Sequence, residues 1–156
     1  MEAMSRLDWD EYAELMHPEA LQDFKDLLVS VLEATGETDR ATQMGLVSFF
    51  DGARDAEAVI ALEPEELFAA FMRGVVSQSP QMREAFAGVD FEIIGTVYEG
   101  NDLAHVVYRM QMSLEGLDMT QVDVVSLRRS GTDWRMLLTG EFEGLAEQLK
   151  LTIPDG

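Results

Sequence analysis

Two polar residues with useful chemistry, Tyr108 and Asp123, fall at strand positions where apolar side chains are expected. A turn at Glu115-Gly116 would set them directly opposite each other on the inward side of a sheet. A carboxylate in an apolar pocket is a candidate general base, and a tyrosine hydroxyl beside it can donate a hydrogen bond to a bound oxygen. Asp123 and Tyr108 are therefore the candidate catalytic residues of an acid–base site.

Two simpler explanations compete with the catalytic one. An inward aspartate is often satisfied by a backbone amide, a tryptophan N–H or a nearby arginine, and a register slip of one residue would turn Asp123 outward as a surface charge.

The two histidines of the chain are weaker candidates for catalysis. His17 precedes Pro18, where a capping or packing role is expected, and His105 falls on the outer side of the sheet as an exposed imidazole.

Other chemistries find no support in the sequence. The chain has no cysteine, which excludes a disulfide, a thiolate metal site and a cysteine nucleophile. No histidine pair has metal-ligand spacing, and the carboxylates do not cluster as in a calcium loop. There is no nucleophile elbow, no Walker-type phosphate loop and no G-x-G-x-x-G turn. We predict neither a metal nor a cofactor.

Composition limits the partners and the compartment. The length of 156 residues fits a single domain, 1–156. The chain carries 11 Lys+Arg against 30 Asp+Glu, a formal charge of −19, so neither nucleic acid nor an anionic membrane is an expected partner. No apolar run is long enough to span a bilayer, and Met1 to Asp8 lacks the pattern of a signal peptide. A cytoplasmic location is the default expectation, and secretion stays open if a signal peptide was removed.

Helical signals fill the region of about 8–88. Asp8 followed by Glu11 predicts the capped start of a helix that runs to about Met16. Pro18 suits the first turn of a second helix, whose apolar stripe should end at Gly36.

Two more helices are predicted further along, one from Pro64 to before Pro80 and a short one from Pro80 to Ala87. Between the helical regions, residues 39–62 are harder to interpret. They contain one short helical pattern and an apolar run, 59–62, that fits either a helical turn or a short strand.

After Gly88 the apolar period changes to two, which predicts strands at about 90–99, 103–114, 117–129 and 134–140, with a tail at 141–156. Helices followed by hairpins indicate an α+β fold, with the helices packed on one face of a curved antiparallel sheet. Strand alternation assigns a more apolar first face, composed of Phe91, Ile93, Gly95, Val97, Ala104, Val106, Tyr108, Met110, Met112, Met119, Gln121, Asp123, Val125, Leu127, Trp134, Met136 and Leu138. The second face is mixed, with an apolar centre of Val107, Val122, Val124 and Leu137.

Two segments carry a resemblance to a known group: Asp-Trp-Asp-Glu-Tyr-Ala before His-Pro in 8–18, and the strand series ending Val-Ser-Leu-Arg-Arg-Ser-Gly-Thr-Asp-Trp-Arg-Met. With this order of elements, the chain resembles the nuclear transport factor 2-like superfamily of cystatin-like α+β cones. The resemblance implies a strongly curved sheet around a central pocket. The superfamily includes isomerases, dehydratases, hydrolases, cyclases and non-catalytic members, so the fold does not choose a function. Of its isomerase pattern, only Asp123 and Tyr108 have counterparts here.

The leading prediction is a domain that binds a small, mostly apolar ligand in the cone without clear catalytic machinery. The ligand-binding residues would be Tyr12, Phe68, Phe71, Phe91, Ile93, Met110 and Trp134. One alternative is an isomerase or lyase that uses Asp123 as general base and Tyr108 as hydrogen-bond donor. A second alternative is a non-catalytic interaction module that forms a homodimer through the second face of the sheet.

Overall fold

The structure is a computed structural model that describes residue 3, residues 6–114 and residues 116–138. In this part of the chain, helices precede a four-stranded antiparallel sheet, so the predicted α+β fold class is confirmed. The predictions for residues 139–156, which concern the end of the last strand and the tail, lie outside the described residues.

The helices are α1 (Trp9–Glu14), α2 (Pro18–Thr38), α3 (Arg40–Val47), α4 (Ala56–Ile60), α5 (Pro64–Gln78) and α6 (Pro80–Ala87). The predicted caps are confirmed. The Asp8 carboxylate accepts a hydrogen bond from the N–H of Glu11 at 3.1 Å, and Nδ1 of His17 accepts one from the N–H of Glu19 at 3.3 Å. Among the described helices, none combines the length and apolar character that crossing a membrane requires.

The predicted end of α2 at Gly36 is wrong, because the helix continues through this glycine to Thr38. Gly36 instead permits a close approach between helices. A Cβ at this position would collide with the side-chain amide of Gln43 on α3, which donates a hydrogen bond to the carbonyl of Leu32 at 2.8 Å. The missing side chain thus lets α3 lie against the end of α2, at the usual helical cost of about 1 kcal/mol for glycine.

Residues 39–62 form two short helices rather than a strand. They begin at Asp39 and Asp55, whose carboxylates accept hydrogen bonds from first-turn N–H groups at 2.9 and 2.8 Å. Each helix buries one valine in the hydrophobic core that the helices share, Val47 on α3 and Val59 on α4. Because isolated helices of this length are unstable, this burial together with the caps holds them in place.

The cap at Asp39 should make stability depend on pH. The Thr42 hydroxyl, at 2.6 Å, and the N–H groups of Ala41 and Thr42 lower the pKa of Asp39 from its ordinary value of 3.8. A carboxyl with a depressed folded pKa stabilises the fold above its unfolded pKa, and the contribution is lost as the pH falls through the folded value. We expect Asp39→Asn to lower the urea midpoint at about pH 6 and to matter progressively less below about pH 4. The same loss at both pH values would contradict this.

The helical half has a core of its own, centred on α5. Leu67, Phe68 and Ala69 are completely shielded from solvent. Phe24 of α2 contacts both Phe68 and Phe71, with ring centroids 5.3 and 5.6 Å away. Aromatic rings in such edge-to-face contact contribute stability beyond the area that they bury.

The sheet is a meander of β1 (Asp90–Glu99), β2 (Leu103–Leu114), β3 (Leu117–Ser130) and β4 (Asp133–Met136), with the strands in that order. The β2–β3 register places Tyr108 opposite Asp123, which confirms the pairing predicted from the turn. Gly116 in that turn has a φ of 81°, a left-handed conformation that favours glycine.

A β-bulge between Ile93 and Gly95 exchanges the faces of the second half of β1. Ile93 lies on the first face, but Val97 pairs with His105 and therefore lies on the second, while Tyr98 joins the first. The predicted face of Val97 is wrong because the extra residue of a bulge shifts the strand alternation by one. From here, the first face is the side of the sheet that carries Tyr108 and Asp123, and the second face is the side that carries His105.

The sheet joins the helices through the junction of α1 and α2. Met16 forms a parallel bridge with Met136 of β4. The N–H of His17 donates to the carbonyl of Met136 at 2.7 Å, and the N–H of Met136 donates to the carbonyl of Leu15 at 2.9 Å. This contact covers one edge of the sheet, which would otherwise expose unpaired backbone groups.

Candidate functional site

Tyr108 of β2 and Asp123 of β3 form a cross-strand pair on the first face. Both side chains are half-buried. The Oδ1 atom of Asp123 accepts a hydrogen bond from the N–H of Val124 at 2.7 Å. This backbone contact is one of the simpler roles considered for an inward aspartate, and it engages one of the two carboxylate oxygens.

Apolar side chains surround the pair. The ring of Phe91 lies 5.8 Å from the ring of Tyr108, tilted by 57°. Ala104 and Val125, the buried side chains among the described strand residues, are 2% and 8% exposed, and both lie on the first face. On the same face Ile93 and Met119 are 65% and 47% exposed, so the first face is buried at Ala104 and Val125 and open to solvent at Ile93 and Met119.

A cavity of about 360 Å³ lies between the pair and the β2–β3 turn. Its wall consists of Met110, Met112, Met119, Thr120 and Gln121. Methionine side chains are flexible and polarizable, so they can adjust to ligands of different shape. The volume falls within the range of small-molecule sites, which is roughly 300–1,000 Å³.

The predicted ligand-binding residues of the sheet divide between its two ends. Phe91, Ile93 and Met110 lie near the polar pair, and Ile93 pairs directly with Tyr108. Trp134 lies at the opposite end, where the Arg129 guanidinium is 5.3 Å from its ring centroid.

The predicted ligand-binding residues of the helices lie in the helical core. Phe68 and Phe71 are 0% and 6% exposed, and the half-buried Tyr12 stacks on Phe68 with 6.1 Å between ring centroids. A ligand would reach Phe68 and Phe71 only by displacing their packing, whereas Tyr12 is partly accessible. Most of the predicted residues that can meet a ligand without rearrangement therefore belong to the sheet.

The second face carries a hydrogen-bonded row of side chains that the sequence pattern did not predict. His105 lies opposite Ser126, with 2.9 Å between its Nδ1 and the serine Oγ, and its Nε2 is 3.1 Å from Oε2 of Glu99. The His105 side chain is 32% exposed rather than free in solvent. The register that pairs Tyr108 with Asp123 also pairs His105 with Ser126, but the face of Glu99 depends on the bulge.

No group of three or more His, Asp or Glu side chains within the described ranges is placed to hold a metal ion. Comparison of the chain with protein-family models, with curated proteins and with solved structures found no match. The candidate functional site is therefore defined by the geometry of the sheet.

Proposed function

We propose that this protein binds a small, mostly apolar ligand on the first face of the sheet, against Tyr108 and Asp123. The observation that carries the proposal is a half-buried polar pair set in an apolar surface beside a methionine-lined cavity. Ligand sites are mostly apolar, with a few polar groups that fix the orientation of the ligand. Tyr108 and Asp123 would hold one polar group, and the methionines would contact the apolar body.

The same pair supports the alternative of an isomerase or lyase that uses Asp123 as general base and Tyr108 as hydrogen-bond donor. The hydrogen bond from the N–H of Val124 favours binding over proton abstraction. That contact engages one carboxylate oxygen of Asp123 as a hydrogen-bond acceptor for the backbone, as in a structural or ligand-orienting role. Ligand binding is therefore the first choice.

Membership of the nuclear transport factor 2-like superfamily is part of the proposal, and the curvature of the sheet supports it. In a flat sheet the outer strands β1 and β4 would lie three strand spacings apart, roughly 14 Å. The rings of Tyr98 on β1 and Trp134 on β4 have centroids only 6.1 Å apart. The bulge at Gly95 also bends β1. Both features favour a sheet that curls toward its first face as the wall of a cone.

A matched pair of variants tests the binding proposal. Ile93 and Val97 lie on the same strand, are 65% and 61% exposed, and occupy opposite faces. We expect Ile93→Asp to raise the Kd for the neutral apolar dye Nile red by at least about 10-fold, because a ligand would have to desolvate the new charge. Fluorescence titration measures the Kd. Val97→Asp should leave it within about 2-fold of the native value. Equal effects of both variants, or no saturable binding to the native protein, would refute the proposal.

The second face supports a further proposal, a homodimer that buries the exposed valines of this face and leaves its side toward α2 uncovered. Val97, Val122 and Val124 are 61%, 56% and 46% exposed, and their strands are neighbours. Arg109 and Arg128 lie on the same face, where they neutralise the carboxylates of Glu92 and Glu19. Because the chain carries a charge of −19, a second copy meets less repulsion at a face that contains arginines than on the acidic helices.

The same two variants test the dimer, but here Val97→Asp is the disruptive variant and Ile93→Asp is the control. We expect the native protein to sediment as a dimer at a concentration on the order of 10 μM, and Val97→Asp to shift it to monomer. The new charge would be buried without a partner at the interface, which costs several kcal/mol. Ile93→Asp, on the other face, should remain dimeric. A native protein that sediments as a monomer would exclude this assembly.

A further inference from the structure

We propose that the second face carries a separate catalytic site, in which Ser126 acts as a nucleophile toward small neutral carboxylic esters. His105 is its general base, and Glu99 is a positioning residue that orients the imidazole. This site is independent of the ligand site on the first face.

Three successive strands supply the three residues. Glu99 lies on β1, His105 on β2 and Ser126 on β3, and the backbone register places His105 directly opposite Ser126. The distances of 2.9 Å from Nδ1 to Oγ and 3.1 Å from Nε2 to Oε2 fall in the range of a nucleophile paired with its base. Side chains held on paired strands are positioned more precisely than those on loops.

The hydrogen-bond partners determine the tautomer of His105. An ionised Glu99 can only accept a hydrogen bond, so Nε2 must carry the proton that it receives. Nδ1 then has the lone pair and accepts the hydroxyl proton of Ser126. This is the arrangement in which a histidine removes a proton from a serine, with the carboxylate stabilising the imidazolium that forms.

A cavity of about 370 Å³ gives a substrate access to Ser126. It opens between α2 and the sheet, and its wall consists of Glu19, Ala20, Asp23, Ser126, Arg128, Leu137 and Leu138. None of the exposed valines of the second face belongs to this wall. The Arg128 guanidinium lies on the same face as Ser126 and pairs with the carboxylate of Glu19 in the cavity wall. Turned from Glu19 toward the substrate, it would stabilise the oxyanion of a tetrahedral intermediate. Because two carboxylates also line the cavity, a neutral acyl group fits it better than an anionic one.

The reaction proceeds in two balanced steps. The Oγ of Ser126 attacks the ester carbonyl carbon while its proton passes to Nδ1 of His105; the ester C–O bond then breaks, and that proton leaves with the alcohol. Water next attacks the acyl-serine, giving one proton to His105 and its hydroxyl to the acyl carbon. The serine departs with the proton held by His105, and the products are one carboxylic acid and one alcohol.

Diisopropyl fluorophosphate, which modifies activated serines, tests the proposal. We expect one modified residue, mapped to Ser126 by mass spectrometry, and slow hydrolysis of p-nitrophenyl acetate by the native protein. Ser126→Ala should abolish both. His105→Gln should slow the modification by at least about 100-fold, and Glu99→Gln by about 10-fold. All three positions are at least partly exposed, and circular dichroism verifies that each variant is folded.

Ser113 provides the matched control, since it is also a serine on the second face and donates a hydrogen bond to Oδ1 of Asp118 at 2.5 Å. Ser113→Ala should be modified at the native rate. Native protein that is not modified at Ser126, or modification of Ser126 that is unaffected by His105→Gln, would overturn the proposal. Neither result bears on binding of Nile red at the first face, so the two proposals fail separately.

Discussion

Replacing Gly74 by alanine is expected to lower the free energy of unfolding by at least about 3 kcal/mol. A Cβ on Gly74 would lie 2.5 Å from the carbonyl carbon of Phe49 and would overlap its oxygen. Backbone meets backbone at this contact, so no rotation of a side chain can relieve the overlap. Either α5 or the segment after α3 must move.

The surrounding contacts explain why that movement is costly. The carbonyl of Ala70, one turn before Gly74, accepts a hydrogen bond from the N–H of Asp51 at 3.3 Å. One turn after Gly74, the side-chain amide of Gln78 donates to the carbonyl of Ser48 at 3.0 Å. A shift that made room for a methyl group would break hydrogen bonds on both sides of the glycine.

Gly45 of α3 provides the matched control, because it is also a helical glycine but a Cβ there meets nothing within 4 Å. Gly45→Ala should raise the free energy of unfolding by about 0.4–1 kcal/mol, since alanine restricts the unfolded chain and favours helix. Urea denaturation followed by circular dichroism measures both variants. If Gly74→Ala were as stable as the native protein, the close packing of α5 against residues 48–51 would be wrong.

Phe68→Ala should cost about 3–5 kcal/mol of stability, the range for removing a large buried aromatic side chain. Phe68 is 0% exposed and lies between the rings of Tyr12 and Phe24, with centroids at 6.1 and 5.3 Å. Its removal leaves a cavity and loses both ring contacts. Thermal or urea unfolding measures the loss, and Phe68→Leu should cost less because it leaves a smaller cavity.

The stability of Phe68→Ala also tests whether an open ligand pocket lies next to the helical core. A phenylalanine that lines an open pocket is only partly packed, so its truncation costs little. Alanine at the partly exposed Phe91 should therefore cost well under the Phe68 value. A loss below about 1 kcal/mol for Phe68→Ala would instead indicate an open pocket next to the helical core.

The fold was predictable where local signals agree with packing. The cap at Asp8, the proline at the start of α2 and the turn at Gly116 all act within a few residues, and each occupies its predicted place. The role of Gly36, in contrast, could not be predicted from the local sequence pattern. A glycine near the end of a helix fits a helix stop, but its role here depends on a contact with Gln43, which the local pattern does not contain.

The candidate site was predictable to the same extent. The opposition of Tyr108 and Asp123 follows from one turn, because alternation and register leave no freedom once the turn is placed. The bulge before Gly95 is different, since a glycine in a strand does not specify whether an extra residue is inserted. The faces of Val97 and Tyr98, and the approach of Glu99 to His105, follow only from that insertion.

Methionine methyl groups offer the most direct test of binding at the first face. Met119 of the cavity wall and Met44 of α3 are 47% and 46% exposed, so general exposure affects them equally. In an NMR titration of isotope-labelled methionine methyls with Nile red, we predict saturable shifts at Met119, Met110 and Met112, with Met44 unchanged. Equal shifts at Met44 and Met119, or no saturable shift at the three cavity methionines, would contradict a ligand site beside Tyr108 and Asp123.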